Sequence, residues 1–276
     1  MFRISGHCFD KIYFKGVFKV KKLFSVMLAF IMIMGCTGIT SFADEASATV
    51  YVSIANKGQL VAAQTKVTVT DIDGDNALTV NDALYAAHEA VYSGGAKEGY
   101  SYYTHKDYGL SIGKLWGDAS GNFGYYINNS SCWSLADSVK SGDYLNAFVY
   151  SDSKNYSDKY CFFDSFTVAA DAKSDIELTL SSAGYDASWN PVTLPVANAE
   201  ITVNGEKTGV KTDVNGKATI QISGQGKHII SAVSASETLV PPVCTVQING
   251  GIIASVISAI TSFLSAVINF ILSIFA

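Results

Sequence analysis

Lys66-Val67-Thr68-Val69-Thr70, then Asp71-Ile72-Asp73-Gly74-Asp75-Asn76-Ala77-Leu78-Thr79-Val80-Asn81-Asp82, then Ala83 to Val91, is the stretch on which the fold reading turns. Val67 and Val69 alternate with polar neighbours, the period of a strand with one buried face. From Val80 the period lengthens to that of a helix. Val80, Leu84, Ala87 and Val91 share one stripe, and Gly94-Gly95 ends it. Between the two periods, Asp71, Asp73, Asp75 and Asp82 fall at positions one, three, five and twelve of a tight loop. Carboxylates at that spacing can surround a hard cation such as calcium, with the Ala77 carbonyl and the Thr79 hydroxyl (or a water on it) completing an oxygen shell. Asn76 stands at position six, where the backbone turns left-handed and Asn is the next best residue after Gly. A cation in this loop would tie strand to helix, a structural role.

Upstream, residues 47–56 alternate with Val50, Val52 and Ile54 on one face, and Lys57-Gly58 turns the chain into the Lys66–Thr70 strand. Downstream, aromatic-rich strands are expected at Phe123–Ile127, Tyr144–Tyr150 and Tyr160–Val168. Hairpin, helix and further strands make residues 44–170 an α+β domain with one helix on a mostly antiparallel sheet. The polar stretch Ala170–Asp175 reads as a boundary. Beyond it, Ile176–Leu180, Ala199–Asn204, Lys217–Ser223 and His228–Ala235 alternate as short strands, with turns at Asn204-Gly205, Asn215-Gly216 and Gly224-Gln225-Gly226. That spacing predicts a small all-β sandwich over residues 176–248. Residues 250–276 carry no charge and are long enough to cross a bilayer as a helix, with Ser255, Ser258, Ser262, Ser265 and Asn269 on one weakly polar stripe. The expected partner of this C-terminal helix is a membrane, the alternative being a segment that folds back or self-associates.

The first 43 residues carry the order of a secretory signal peptide with a long basic region: Lys15, Lys19, Lys21 and Lys22, the apolar run Leu23 to Met34, then Ser41-Phe42-Ala43 before Asp44. Ile33-Met34-Gly35-Cys36 offers a lipoprotein-type alternative in which Cys36 is acylated, although Met34 fits that motif poorly. Arg3 is the last arginine, and residues 1–22 hold five lysines beside the single acid Asp10, so the remainder is more acidic than the net −5 of the whole chain. Nucleic acid is excluded as a partner, because neutralising its backbone needs clustered Lys and Arg. Of the five cysteines, Cys132, Cys161 and Cys244 lie beyond the leader. In an oxidising compartment Cys132 and Cys161 are expected to form a disulfide, against the alternative of two buried thiols. Cys244 reads as a small core residue. None of His7, His88, His105 and His228 has a nucleophile or metal-ligand neighbour at a catalytic spacing, so no catalytic residue is assigned and no enzyme activity is expected.

The Asp71–Asp82 loop resembles that of EF-hands and, closing with Asp, the dockerin variant, which carries the unit twice where this chain has it once. Gly121-Asn122-Phe123-Gly124-Tyr125-Tyr126-Ile127-Asn128-Asn129, then Cys132-Trp133, Ser141-Gly142-Asp143 and Phe148-Val149-Tyr150, resembles a domain family of unknown function related to the C-terminal domain of transcobalamin and intrinsic factor. That resemblance covers roughly residues 48–168. It implies a β-grasp-like fold and, by extension, corrinoid capture, which the vitamin carriers perform together with a helical domain. Aromatic faces with amides suit a planar or sugar-like ligand, which makes Trp116, Tyr125, Tyr126, Asn128 and Trp133 the candidate contacts. Val196 to Gly205 and Thr212 to Ala218 resemble carboxypeptidase-regulatory-like and bacterial Ig-like modules, which act as surface spacers. Together these readings describe an extracellular, membrane-tethered bacterial surface protein that binds an extracellular ligand or protein without catalysis, with a small-molecule, corrinoid-like carrier as the alternative.

Overall fold

The computed structural model describes residues 47–249 and 260–265. Residues 47–249 belong to one compact unit, Ala46–Ala276. The leader, Cys36, and most of the 250–276 segment lie outside the described residues. Ile260 to Ser265 are helical, with Ile260, Phe263 and Leu264 exposed. Among the described residues no helix is long and apolar enough to cross a membrane.

The described residues are mostly β, and the first of them form a hairpin of β1 (Ser47–Asn56) and β2 (Gln59–Thr70). Lys57 and Gly58 both take positive φ (49° and 77°), the two-residue turn whose twist matches the flanking strands. Val50, Val52 and Ile54 face the core as the alternation predicts, as do Val67 and Val69. Helix α1 (Val80–Val91) follows, then the short α2 (Gly95–Gly99) and a separate hairpin of β3 (Ser101–His105) and β4 (Gly109–Lys114). The sheet is completed by β5 (Phe123–Ile127), β6 (Ser130–Ser131) and β7 (Tyr144–Val149) in the order β2-β1-β7-β5-β6, with β1 parallel to β7 and its other pairs antiparallel. The buried stripe of α1 is Val80, Ala83, Leu84, Ala87 and His88. Val91, expected on that stripe, is 46 % exposed, because the helix ends there and His88 takes the place one turn beyond Leu84.

The expected boundary near residue 170 is too late. Strands β8 (Lys159–Phe163) and β9 (Thr167–Asp171) pair with strands of the second module, not the first. One sheet there has the order β11-β10-β8-β16, formed by β10 (Asp175–Tyr185), β11 (Pro191–Pro195) and β16 (Leu239–Val240), with β14 (Lys217–Gln221) also on β10. The other has the order β13-β12-β15-β17-β9, adding β12 (Glu200–Val203), β13 (Glu206–Lys211), β15 (Gly226–Val233) and β17 (Cys244–Asn249). Ile176, Leu178, Leu180 and Ile220 of the first sheet share one core with Ile201, Ile230, Val246 and Ile248 of the second, a two-layer β-sandwich. At the junction of β14 and β11, Gly216 (φ +78°) approaches so closely that an added Cβ would lie 2.2 Å from the Leu180 carbonyl oxygen.

The two modules share an aromatic seam. Tyr126 of β5 stacks on Tyr160 of β8 with centroids 3.6 Å apart, and Tyr144 of β7 stacks on Phe166 at 4.1 Å. Beside it Gln64, with φ 43° at the irregular part of the β1–β2 ladder, is buried. Its amide donates to the Phe166 carbonyl (2.8 Å) and the Val243 carbonyl (3.3 Å), and accepts from the Thr245 hydroxyl. A buried amide satisfied on both ends fixes orientation as well as adding stability.

Candidate metal centre

The acidic loop is shaped by its own hydrogen bonds. Asp71 accepts from the backbone amides of Gly74 (2.7 Å), Asp75 (3.3 Å) and Asn76 (2.8 Å), and these bonds, that from Asn76 foremost, hold its carboxyl below the usual range. Asn76 takes the left-handed conformation expected of position six, φ 64°. Thr79 caps α1, and Asp82 closes a capping box with it. Asp82 Oδ2 accepts from the Thr79 amide (2.8 Å) and hydroxyl (2.7 Å), while Oδ1 accepts from the Ile72 amide (3.0 Å). One residue therefore starts the helix and pulls the far side of the loop onto it.

Oxygens of Asp71, Asp73 and Asp82 lie within 4.8 Å of one another. Oxygens about 2.4 Å from one ion sit at most about twice that distance apart, so these three can share a single calcium ion. The hydrogen bonds do not forbid it, since an ionised carboxylate offers about four lone-pair sites. Asp75, also predicted as a ligand, is not among the three carboxylates that converge. Asp75 instead accepts from the Ala77 amide (2.8 Å), and the Thr79 hydroxyl is committed to Asp82. Burial, followed by the charges of Asp75 and Asp82, raises the Asp73 carboxyl above its ordinary value. An acid held against its neighbours' negative charge is relieved by a bound cation.

Behind the loop runs a positioning network that no local sequence pattern announces. Asn81, fully buried, donates to Asp73 (3.0 Å) and accepts from the Tyr100 hydroxyl (2.9 Å). Tyr100 stacks on His88 at 5.1 Å. His88 Nε2 accepts from the Trp116 amide (3.0 Å), so Nδ1 carries the proton and donates to the Leu84 carbonyl (2.7 Å). Burial lowers the pKa of this imidazole. The only clue in the sequence was the placement of Asn81 and His88 on the helix directly after the loop.

The five residues expected to contact a ligand do not converge. Trp116 packs edge-on against Tyr92 at 5.0 Å within the first core, where Tyr125 also packs. Tyr126 projects from the opposite face of β5 into the seam. The Asn128 side chain bridges Asp143 and the Tyr144 amide, both at 2.9 Å, and Trp133 is 93 % exposed. Strand alternation explains the split, since adjacent residues of β5 face opposite ways. Nor does the expected disulfide form: Cys132 and Cys161 are free, because Cys132 packs on the first core and Cys161 inside the second. Burial pushes the Cys132, Cys161 and Cys244 thiols up to about 12, far from the thiolate form that makes cysteine a nucleophile.

No protein-family model and no curated protein matches this chain. Among the solved structures that overlap it, two do so with low scores. The N-terminal four Ig domains of Dscam1 isoform 4.4 align with 9% identity and a TM-score of 0.22, covering 72% of this chain and 43% of that one. The D0-D1 domain of intimin aligns with 14% identity and a TM-score of 0.25, covering 73% and 96%. This chain therefore spans less than half the length of the Dscam1 structure. Overlaps at such scores carry no argument about its function, which has to be built from its own residues.

Proposed function

We propose that the chain is an exported, cell-surface, non-enzymatic ligand-binding or adhesion protein whose first module is stapled by one calcium ion. The convergence of the Asp71, Asp73 and Asp82 oxygens at the joint between β2 and α1 carries this reading. Calcium suits the hard oxygen donors and the extracellular setting that the leader implies. The sheet order β2-β1-β7-β5-β6, with β1 parallel to β7 and α1 after the hairpin, supports a β-grasp-like designation for this module. The following sandwich supports the role of an Ig-like spacer, and the uncharged 250–276 segment that of a membrane tether.

The test is a melting series on the full chain in detergent, with excess calcium or with a chelator. Free calcium at about a hundred times its dissociation constant stabilises by about 2.7 kcal/mol, a shift of several degrees for a domain of this size. Asp73→Asn keeps the shape of the side chain and its hydrogen bond to Asn81 while removing a ligand charge. It should abolish the calcium shift and leave the chelated protein at least as stable as wild type. A wild-type melting temperature indifferent to calcium would end the staple reading.

A further inference from the structure

A cleft of about 430 Å³ opens where the free end of the first sheet meets the β10–β11 hairpin of the second module. Its volume falls within the roughly 300–1,000 Å³ typical of small-ligand sites. Its aromatic surface comes from Tyr126, Phe162 and Tyr185, and its polar surface from Asn129, Ser130, Ser131 and Thr193. None of the lining residues is charged. Tyr126 is locked in place by its stack on Tyr160, whose hydroxyl donates to Asn129 (2.9 Å) and accepts from Asn146 (2.9 Å). One wall is therefore rigid before any ligand arrives. The hydroxyls of Tyr126, Ser130, Ser131 and Thr193, and the amide nitrogen of Asn129, have no partner among the described residues and remain free to bond a guest.

The mouth of the cleft is also preorganised. Tyr185 (60 % exposed) lies 6.1 Å from Trp189 (81 % exposed) across the hairpin tip. Asp186 holds that tip by accepting from the amides of Ser188 (2.8 Å) and Asn190 (2.9 Å) and from the Asn190 side chain (2.9 Å), and the Trp189 amide donates to the Asp186 carbonyl (3.0 Å). Two large aromatic faces are thus presented to solvent on a fixed turn.

The backbone at the rim argues against a peptide adding as a strand. Ladder bonds join Leu180 with Val196 and Asp186 with Asn190, at the two ends of one register. By the alternation of antiparallel pairs, Ser182/Leu194 and Gly184/Val192 are the bonded pairs between them. Pro191, Thr193 and Pro195 then turn their backbones outward, and only Thr193 has an N–H to offer. This edge is blunted. The opposing edge strand, β6, is only two residues long.

We propose that this cleft, with the Tyr185–Trp189 lip as a second contact, binds a neutral saccharide. The lining has no Lys, Arg or His to balance the charge of a phosphate or carboxylate. Unpaired hydroxyl and amide groups beside aromatic faces match a ring with an apolar C–H face and a rim of hydroxyls. The proposal deepens the ligand-binding reading above and rests on it, but it shares no residue with the calcium loop.

The probes are neutral hexasaccharides of the cello, xylo, manno, chito and malto series. Each is titrated by calorimetry into the full chain in a sugar-free zwitterionic detergent with calcium present. At least one should bind with a dissociation constant below about 1 mM. The double substitution Tyr185→Ala/Trp189→Ala, at exposed positions, should weaken it at least tenfold at unchanged melting temperature, and Ser131→Trp should block the cleft itself. No binding across the series, or binding that survives both variants, would overturn the saccharide assignment. The calcium-dependent melting shift would then stand or fall on its own.

Discussion

The two modules solve the same packing problem with different materials. The sandwich is closed by alternation alone: Ile176, Leu178 and Leu180 on one sheet meet Ile201, Ile230 and Val246 on the other, and tight turns at Asn204-Gly205 and Asp213–Gly216 keep the strands short. The first module reaches its core through a joint, the Asp71–Asp82 loop, that places acids against one another at the start of its longer helix. Alternation needs no outside partner, whereas clustered carboxylates are most stable with a cation among them. Stability should therefore be intrinsic to the second module and conditional in the first. The seam of Tyr126–Tyr160, Tyr144–Phe166 and Gln64 holds the two modules against each other.

The largest effect should come from Gly216→Val in the sandwich. Its Cβ would lie 2.2 Å from the Leu180 carbonyl oxygen, at a φ of +78° that branched residues avoid. A loss of roughly 3 kcal/mol or more is expected in chemical denaturation. If the modules differ as described, that variant should keep a calcium-dependent shift. Its disappearance would show that the loop cannot form without an intact sandwich.

Gln64→Ala should come next. It leaves the Phe166 and Val243 carbonyls and the Thr245 hydroxyl without their buried partner, at roughly 1–3 kcal/mol. Because the residue serves both modules, a single melting transition is expected to broaden or split in two. An unchanged single transition would mean that the aromatic stacks alone couple the modules.

A smaller effect concerns His88. Burial lowers its pKa, so folding favours the neutral ring. The stability it contributes is fully present above the ordinary value of about 6.5 and is lost as pH falls through its folded value. Stability measured from pH 7 to pH 5 should therefore fall more steeply in wild type than in His88→Gln. Equal slopes would contradict the neutral, doubly hydrogen-bonded state.

Much of this was legible in the residues, though unevenly. Val50, Val52 and Ile54, Val67 and Val69, and the Asn204-Gly205 turn carry local signals strong enough to place β1, the second half of β2, and β12 with the turn that follows it. The loop is legible as an acidic turn, but the spacing of Thr79 and Asp82 signals ligands and hides that the same pair forms the helix cap. Strand β11 was missed because Pro191 and Pro195 argue against a strand, and only its place at a sheet edge, where outward positions need no N–H, admits them. The late module boundary has a similar origin. Ala170–Asp175 is polar enough for a linker, yet Ser174 and Asp171 close a turn between β9 and β10 inside the sandwich. Gln64 was invisible for another reason: its partners lie between about a hundred and a hundred and eighty residues away, beyond any local pattern.

The most direct test of the conditional first module is amide hydrogen exchange on the full chain, with calcium and with chelator. The amides of Ile72, Gly74, Asn76 and Thr79 all bond to loop carboxylates. The account predicts that calcium slows their exchange markedly in wild type and not in Asp73→Asn, while β10, β12 and β15 exchange alike in every condition. Equal protection of the loop with and without calcium would contradict it.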